Sequence, residues 1–200
     1  MNEMLMKLKI KFDNLFQKIS DPSIKNMNSL GGDIGSYIST FDSSQTNEVN
    51  KQILGLISRL ELEKGFSILH INLYKIMIEI LESKNLLQRV LDSETKMPKK
   101  RLNDSLVTTL DVQRTILPLI QQKLNANDRH FDFIFLNGIG EVYPLIRAHS
   151  ILNNLQVTMG EIPVIAFFPG EYDGFRLKLF GLVQDTNHYR AFSLDQDFQD

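Results

Sequence analysis

FDFIFLNGIGEVYPLIRAHSILNNLQVTMGEIPVIAFF, from Phe131 to Phe168, decides how this chain is read. It opens and closes on nearly unbroken apolar runs, Phe131–Leu136 and Ile162–Phe168. Such runs, without polar alternation, mark strands covered on both faces, as in a parallel sheet. Between them Val142, Leu145 and Leu152 share one stripe, which predicts a helix from Val142 to about Leu155. Strand, helix, strand is a βαβ unit, so both strands point the same way. The expected fold class is α/β: a mainly parallel sheet flanked by helices, Rossmann-like or P-loop-like in architecture but without a P-loop.

Working outward, the C-terminal side changes pattern. FRLKLFGL (Phe175–Leu182) alternates, QDTN supplies turn residues, and YRAFSL (Tyr189–Leu194) follows. These predict an antiparallel hairpin at the margin of the sheet, with Arg176 and Lys178 discouraging edge pairing. On the other side, Asn103 or Asp104 is placed to cap a helix running to about Asn125, with a bend at Pro118. A long helix is expected from Tyr74 to Leu91, after a strand at SILHINL (Ser67–Leu73). A helix from Asn47 to Lys64 turns Val49, Ile53, Leu56, Ile57 and Leu60 inward, and Gly65 ends it. Tyr37–Phe41 reads as a short strand. The N-terminal segment, residues 1–29, is an amphipathic helix with Met4, Leu5, Leu8, Phe12, Leu15, Phe16 and Ile19 on one stripe. Asp21-Pro22 stops it, and the glycine-rich SLGGDIG makes residues 30–36 a connector. All 200 residues are read as one domain.

Composition narrows the function classes. A net charge of −2 gives no general attraction for polyanions, and the absence of cysteine excludes disulfides, thiol nucleophiles and Cys-ligated metals. It also suits a reducing cytoplasm. No apolar stretch nears the ~20 residues that span a bilayer, and the N-terminus does not read as a secretory signal, so a cytoplasmic protein without membrane contact is expected. The most basic stretch, Lys96-Met97-Pro98-Lys99-Lys100-Arg101, is read as a solvated loop, with DNA contact as the other possibility for it.

The glycine pair, Gly138 and Gly140, begins like G-x-G-x-x-G, but Tyr143 occupies the third position, where close helix–strand packing needs a glycine. Glu141 is expected in the first helical turn, where its carboxylate would repel an anion, with Pro144 near the helix start. A tight turn is preferred to a phosphate cradle, and no cofactor is expected. His149 and His70 read as satisfied, semi-buried histidines, while His130 and His188 lie in separate loops. Glu171 and Asp173, with Asp132 and Lys178, are the residues from which a metal-dependent site would be drawn, but Pro169–Gly174 is also a natural turn. If the two buried strands are parallel, Asn137–Gly138 and Pro169–Gly170 emerge at the same carboxyl end of the sheet, where open α/β folds hold their ligands. The loops there carry Asn137, Glu141, Tyr143, Arg147, Glu171, Tyr172 and Asp173. Arginine and tyrosine are favoured where proteins grip one another, so these seven are the candidate partner interface.

FLNGIGEVYPLIRAHSILNNL, IPVIAFFPGEYDG, LKLFGL and HYRAF, in this order, resemble the BrxB proteins of bacteriophage exclusion (BREX) defence systems. The likeness is strongest from Phe131 to Phe192 and continues through LEKGFSILHINLYKIMIEILE (Leu62–Glu82). The resemblance implies a role in defence against phage, as a small assembly component associated with the alkaline-phosphatase-like protein PglZ. It also implies action alongside the ATPase BrxC and the methyltransferase PglX, and it brings no catalytic residues. The expected function is a non-enzymatic adaptor. The alternative is a divergent nucleotide- or metal-dependent enzyme, or a DNA-binding accessory subunit, of the same system.

Overall fold

A computed structural model describes residues 3–26, 36–126, 130–158, 162–185 and 188–196. The connector expected at SLGGDIG lies outside them, except that Ser36, at its end, already begins a strand. In chain order the elements are α1 (Glu3–Ile19), a short α2 (Pro22–Asn26), β1 (Ser36–Phe41), α3 (Thr46–Lys64), β2 (Ile68–Asn72), α4 (Leu73–Ser83) and α5 (Leu87–Glu94). They continue with α6 (Lys99–Thr109), α7 (Leu117–Asn125), β3 (Phe133–Asn137), α8 (Ala148–Thr158), β4 (Val164–Tyr172), β5 (Leu177–Leu179), β6 (Val183–Gln184) and β7 (Phe192–Ser193).

The sheet runs in the order β2-β3-β4-β1-β7, and every one of these neighbours is parallel. Phe135 lies opposite Ile165, and Ile38 opposite Ala166, so the two apolar runs that decided the fold lie side by side at its centre. Each strand then sends alternate side chains to two separate cores. Tyr37, Phe133, Phe135, Ile165 and Phe167 meet α1 and α3 on one face. On the other, Ile134, Leu136, Val164, Ala166 and Phe168 meet α4, α7 and α8. Phe167 shows why the first face holds: its ring stacks on Phe12 of α1 at 6.1 Å and meets Phe135 edge-on at 5.5 Å. Burying one such phenylalanine contributes about 2–3 kcal/mol. The weak strand candidate at Tyr37–Phe41 is therefore an inner strand, with Ser36 and Ser39 both buried.

The amphipathic reading of α1 holds from Leu8 onward: Leu8, Phe12, Leu15, Phe16 and Ile19 are buried, whereas Met4 and Leu5 stay exposed in its first turns. Gly65, at φ 69°, ends α3 as its position predicts.

Several elements differ from the sequence reading. The helix expected over Tyr74–Leu91 is two, because Asn85 adopts φ 54°, a left-handed conformation that asparagine tolerates, and stops α4. The helix expected from Asn103 starts earlier, at Lys99 behind Pro98, so Lys99–Arg101 form an exposed helical turn and not a loop. It also breaks: α6 ends at Thr109, Asp111 accepts the N–H of Arg114 at 2.7 Å, and a π-helical turn (Val112–Ile116) leads into α7. Pro118 sits in the first turn of α7, where its missing N–H costs no helical bond. Finally, the hairpin forms between other partners. β4 runs on through Pro169–Tyr172 and pairs antiparallel with β5, β5 pairs with β6, and β7 crosses away to lie parallel to β1.

Candidate functional site

The carboxyl ends of β1, β3 and β4 meet where the outgoing connections part. The chain leaves β1 for α3 on one face and β3 for α8 on the other. In doubly wound sheets that divergence opens a crevice for ligands. Here β4 does not stop at the crevice but continues through it as the first strand of the β4–β5–β6 meander.

Both glycines are explained by this packing. At Gly138, φ is 81°, and a Cβ would stand 2.8 Å from the backbone nitrogen of Leu73 and 3.0 Å from that of Tyr74, at the start of α4. Gly140 lies against the meander: a Cβ there would come within 2.9 Å of both the Phe180 ring and Pro169. Phe180 is itself fixed, its N–H donating to the Pro169 carbonyl at 2.8 Å and its ring meeting Tyr143 edge-on at 6.1 Å. The tight-turn reading therefore stands, but its supporting argument is corrected. Residues 139–145 form consecutive turns with a cis Tyr143–Pro144 peptide, and the helix begins only at Ala148. Glu141 is not in a helical turn, and Pro144 is not at a helix start.

Glu141 instead ends a directional chain of hydrogen bonds. His70 Nε2 pairs with Asn137 Oδ1 at 3.0 Å, Asn137 Nδ2 donates to Asn50 Oδ1 at 2.8 Å, and Asn50 Nδ2 donates to Glu141 Oε1 at 3.2 Å. With Asn137 offering its oxygen, His70 carries its proton on Nε2, and every donor points towards the carboxylate. The chain ties β2, β3, α3 and the turn after β3 together at the rim of the sheet. Asn72 adds a tie of its own, accepting the Lys75 N–H at 3.0 Å to cap α4. Burial lowers the pKa of His70; the bond it donates to Asn137 opposes this and the nearby Lys75 ammonium reinforces it.

The seven candidate interface residues divide. Asn137 is 2% exposed and belongs to the framework beneath the surface. Tyr172 is half-buried, and its hydroxyl accepts the Ala191 N–H at 3.1 Å while lying 2.9 Å from the carbonyls of Gly174 and Tyr189. It thereby pins the chain entering β7 to β4. Asp173 accepts the N–H groups of Phe175 and Arg176 at 2.9 and 2.7 Å, which closes the β4–β5 turn and holds its carboxyl below the usual range. Glu141, Tyr143, Arg147 and Glu171 are exposed, Glu171 facing Lys178 across the β4–β5 pair at 3.2 Å. Tyr143 and Arg147 line one side of a cleft of about 130 Å³, whose other wall is Val183–Asp185 and whose floor includes Phe168 and Leu177.

The residues from which a metal site was drawn are not brought together. Asp132 sits at the opposite, amino end of β3, bound to Lys25 and to the Ser67 N–H, far along the strand from Glu171 and Asp173. Among the described residues no group of three or more histidines, aspartates and glutamates is placed to hold a metal ion. His149 is satisfied, as expected, by Asp185 at 2.6 Å, and Tyr189 is 1% exposed. Sequence reasoning missed Asn50 and Phe180. A polar residue beside the inward stripe of α3 was the signal for the first, and nothing local marked the second.

Comparison with known proteins places this architecture. The family model described as "BREX protein BrxB" matches residues 69–194, from within β2 to just beyond β7. The chain belongs to the BrxB family. Two curated relatives, each named BREX protein BrxB, agree over nearly the full chain. One, from Bacillus cereus (strain H3081.97), is 36% identical over 92% of this chain and 95% of its own length. The other, from Escherichia coli O9:H4 (strain HS), is 30% identical over 95% of this chain and 92% of its own. No solved structure matches. As a BrxB protein it is a component of a BREX system, with a role in phage defence and partners within that system. The BrxB-matched span contains His70, Asn137, Glu141 and the whole meander, but neither α1 nor α3. No helix among the described residues is long and apolar enough to cross a membrane.

Proposed function

We propose that this BrxB protein is a non-enzymatic adaptor that binds PglZ through the rim at the carboxyl end of its sheet, and acts there with the ATPase BrxC and the methyltransferase PglX. One observation carries the reading: Phe180 and Pro169 of the protein's own meander pack against Gly140 at the crevice, whereas Tyr143, Arg147 and Glu171 stand exposed around it. The polar side chains beneath, His70, Asn137 and Asn50, are bonded to one another and hold that rim in place. A rigid surface bearing tyrosine, arginine and charged groups is what a protein partner grips. BrxB membership supplies the system in which the partner is sought.

Co-purification tests it. The chain and PglZ are expected to co-elute in size-exclusion chromatography, and Arg147→Glu is expected to weaken the complex about tenfold or more, as loss of a charged contact at an interface does. The N-terminal helix is the alternative contact surface, and shortening α1 to begin at Leu8, which removes exposed Met4 and Leu5, probes it. Unchanged co-elution of both variants would remove these two surfaces from the interface.

A further inference from the structure

We propose that a groove over the break between α6 and α7 seats an extended, acidic segment of a partner protein. The groove adjoins the rim at Arg147, which lines both, and the inference stands whether or not PglZ is the partner at the rim. Two clefts make the groove, one of about 420 Å³ and one of about 470 Å³, and both are lined by Val107 and Asp111, where they join. The break creates it. With α6 ended at Thr109 and the chain restarting through the π-helical turn, the helical surface parts between Val107 and the loop that leads into α8.

Its walls are fixed before anything binds. The Asp111 carboxylate takes the Arg114 N–H, Gln113 Nε2 donates to Asn154 Oδ1 at 3.2 Å, and Asn154 Nδ2 donates to the Ser150 carbonyl at 2.7 Å. Preformed walls lower the ordering cost of docking.

Charge selects the occupant. Lys84 and Arg114 line one cleft and Arg147 the other, and none of the three cations has a side-chain ion pair among the described residues. Among the described residues Asp111 is the only carboxylate lining the groove, and it is engaged with backbone. Between the cations the surface is mixed: Val107, 47% exposed, stands among Thr108, Thr115, Gln113 and Ser150. Separated cations on a mixed surface, with Val107 exposed between them, match an extended polypeptide that spaces carboxylates along its length with an aliphatic side chain among them. A nucleic-acid strand fits less well, because among the described residues no aromatic ring lines either cleft to stack a base.

The test is fluorescence anisotropy at low salt with the full chain and a labelled Glu-Glu-Leu-Ser repeat peptide, against its Lys-Lys-Leu-Ser counterpart and oligo(dT). Saturable binding of the acidic peptide, weakened by added salt and by about tenfold or more in Arg114→Glu/Arg147→Glu, is expected. Val107→Asp provides a second, charge-independent probe of the floor, and circular dichroism confirms that each variant folds. Three results would each overturn the proposal: no saturable binding of the acidic peptide, binding that ignores both variants, or tighter binding of oligo(dT) with the same variant dependence. Because the peptide assay contains no PglZ, its failure leaves the co-elution result untouched.

Discussion

His70 shows how a single residue of this BrxB protein couples the fold to pH. Its ring is half-buried, its pKa is lowered chiefly by that burial, and it donates to Asn137 while neutral. The unfolded chain therefore takes up a proton at this site before the folded one does. Stability from His70 is complete above the unfolded value near 6.5 and is lost as pH falls below it towards the lowered folded value. Urea unfolding at pH 7.5 and pH 5.5 is expected to show a larger loss in the native sequence than in His70→Gln. Equal losses would mean that the histidine is charged in the folded state as readily as in the unfolded one. The glycines teach the complementary lesson. That Gly138 and Gly140 serve a turn was visible from Tyr143 at the third position of the motif. Their separate reasons, the amides of α4 at one and Phe180 at the other, come from residues distant in the chain.

At the scale of elements, the C-terminal segment is held by charge as much as by pairing. β7 is two residues long, too short to be secure through its ladder alone. Asp195 follows it and accepts from Ser39 Oγ at 2.8 Å, from the Thr40 N–H at 2.7 Å and from Thr40 Oγ1 at 2.7 Å, while Lys11 of α1 pairs with it at 2.7 Å. Lys18 adds bonds to the carbonyls of Leu194 and Gln196 at 3.1 and 2.8 Å. Lys11 and Lys18, which lie off the apolar stripe of α1, thus fasten residues 194–196. Removing the carboxylate strands the buried Ser39 hydroxyl and a backbone donor, so Asp195→Ala is expected to cost about 2 kcal/mol in the urea midpoint. Faster hydrogen exchange at β1 amides should accompany the loss. A change under about 0.5 kcal/mol would assign the strap no role. The break between α6 and α7 escaped the sequence for a related reason. Apolar periodicity continues across Leu110 and Ile116, both buried, and only the backbone at Asp111, with ψ 126°, shows that the helix is broken there.

For the molecule as a whole, the proposed adaptor and an enzyme that binds a nucleotide or metal differ in whether a small ligand stabilises the fold. A thermal-shift comparison with ATP, GTP, S-adenosylmethionine and divalent cations is expected to show no stabilisation, because a ligand raises the melting temperature only by binding the native state. A reproducible rise that disappears in Glu171→Ala would instead establish a ligand site at the meander. The sequence by itself determined the α/β class, the parallel pair β3–β4, the inward stripes of α1 and α3, and the BrxB resemblance. Each of these is written in local periodicity or in ordered blocks of residues, which survive without knowledge of distant contacts. Only the tertiary structure decided that β1 lies inside the sheet, that β4 runs on into the crevice, and that His70, Asn137, Asn50 and Glu141 form one chain. Those outcomes depend on which segments meet across tens of residues. A strand such as SYISTF carries no local mark of being buried, because its neighbours provide the burial.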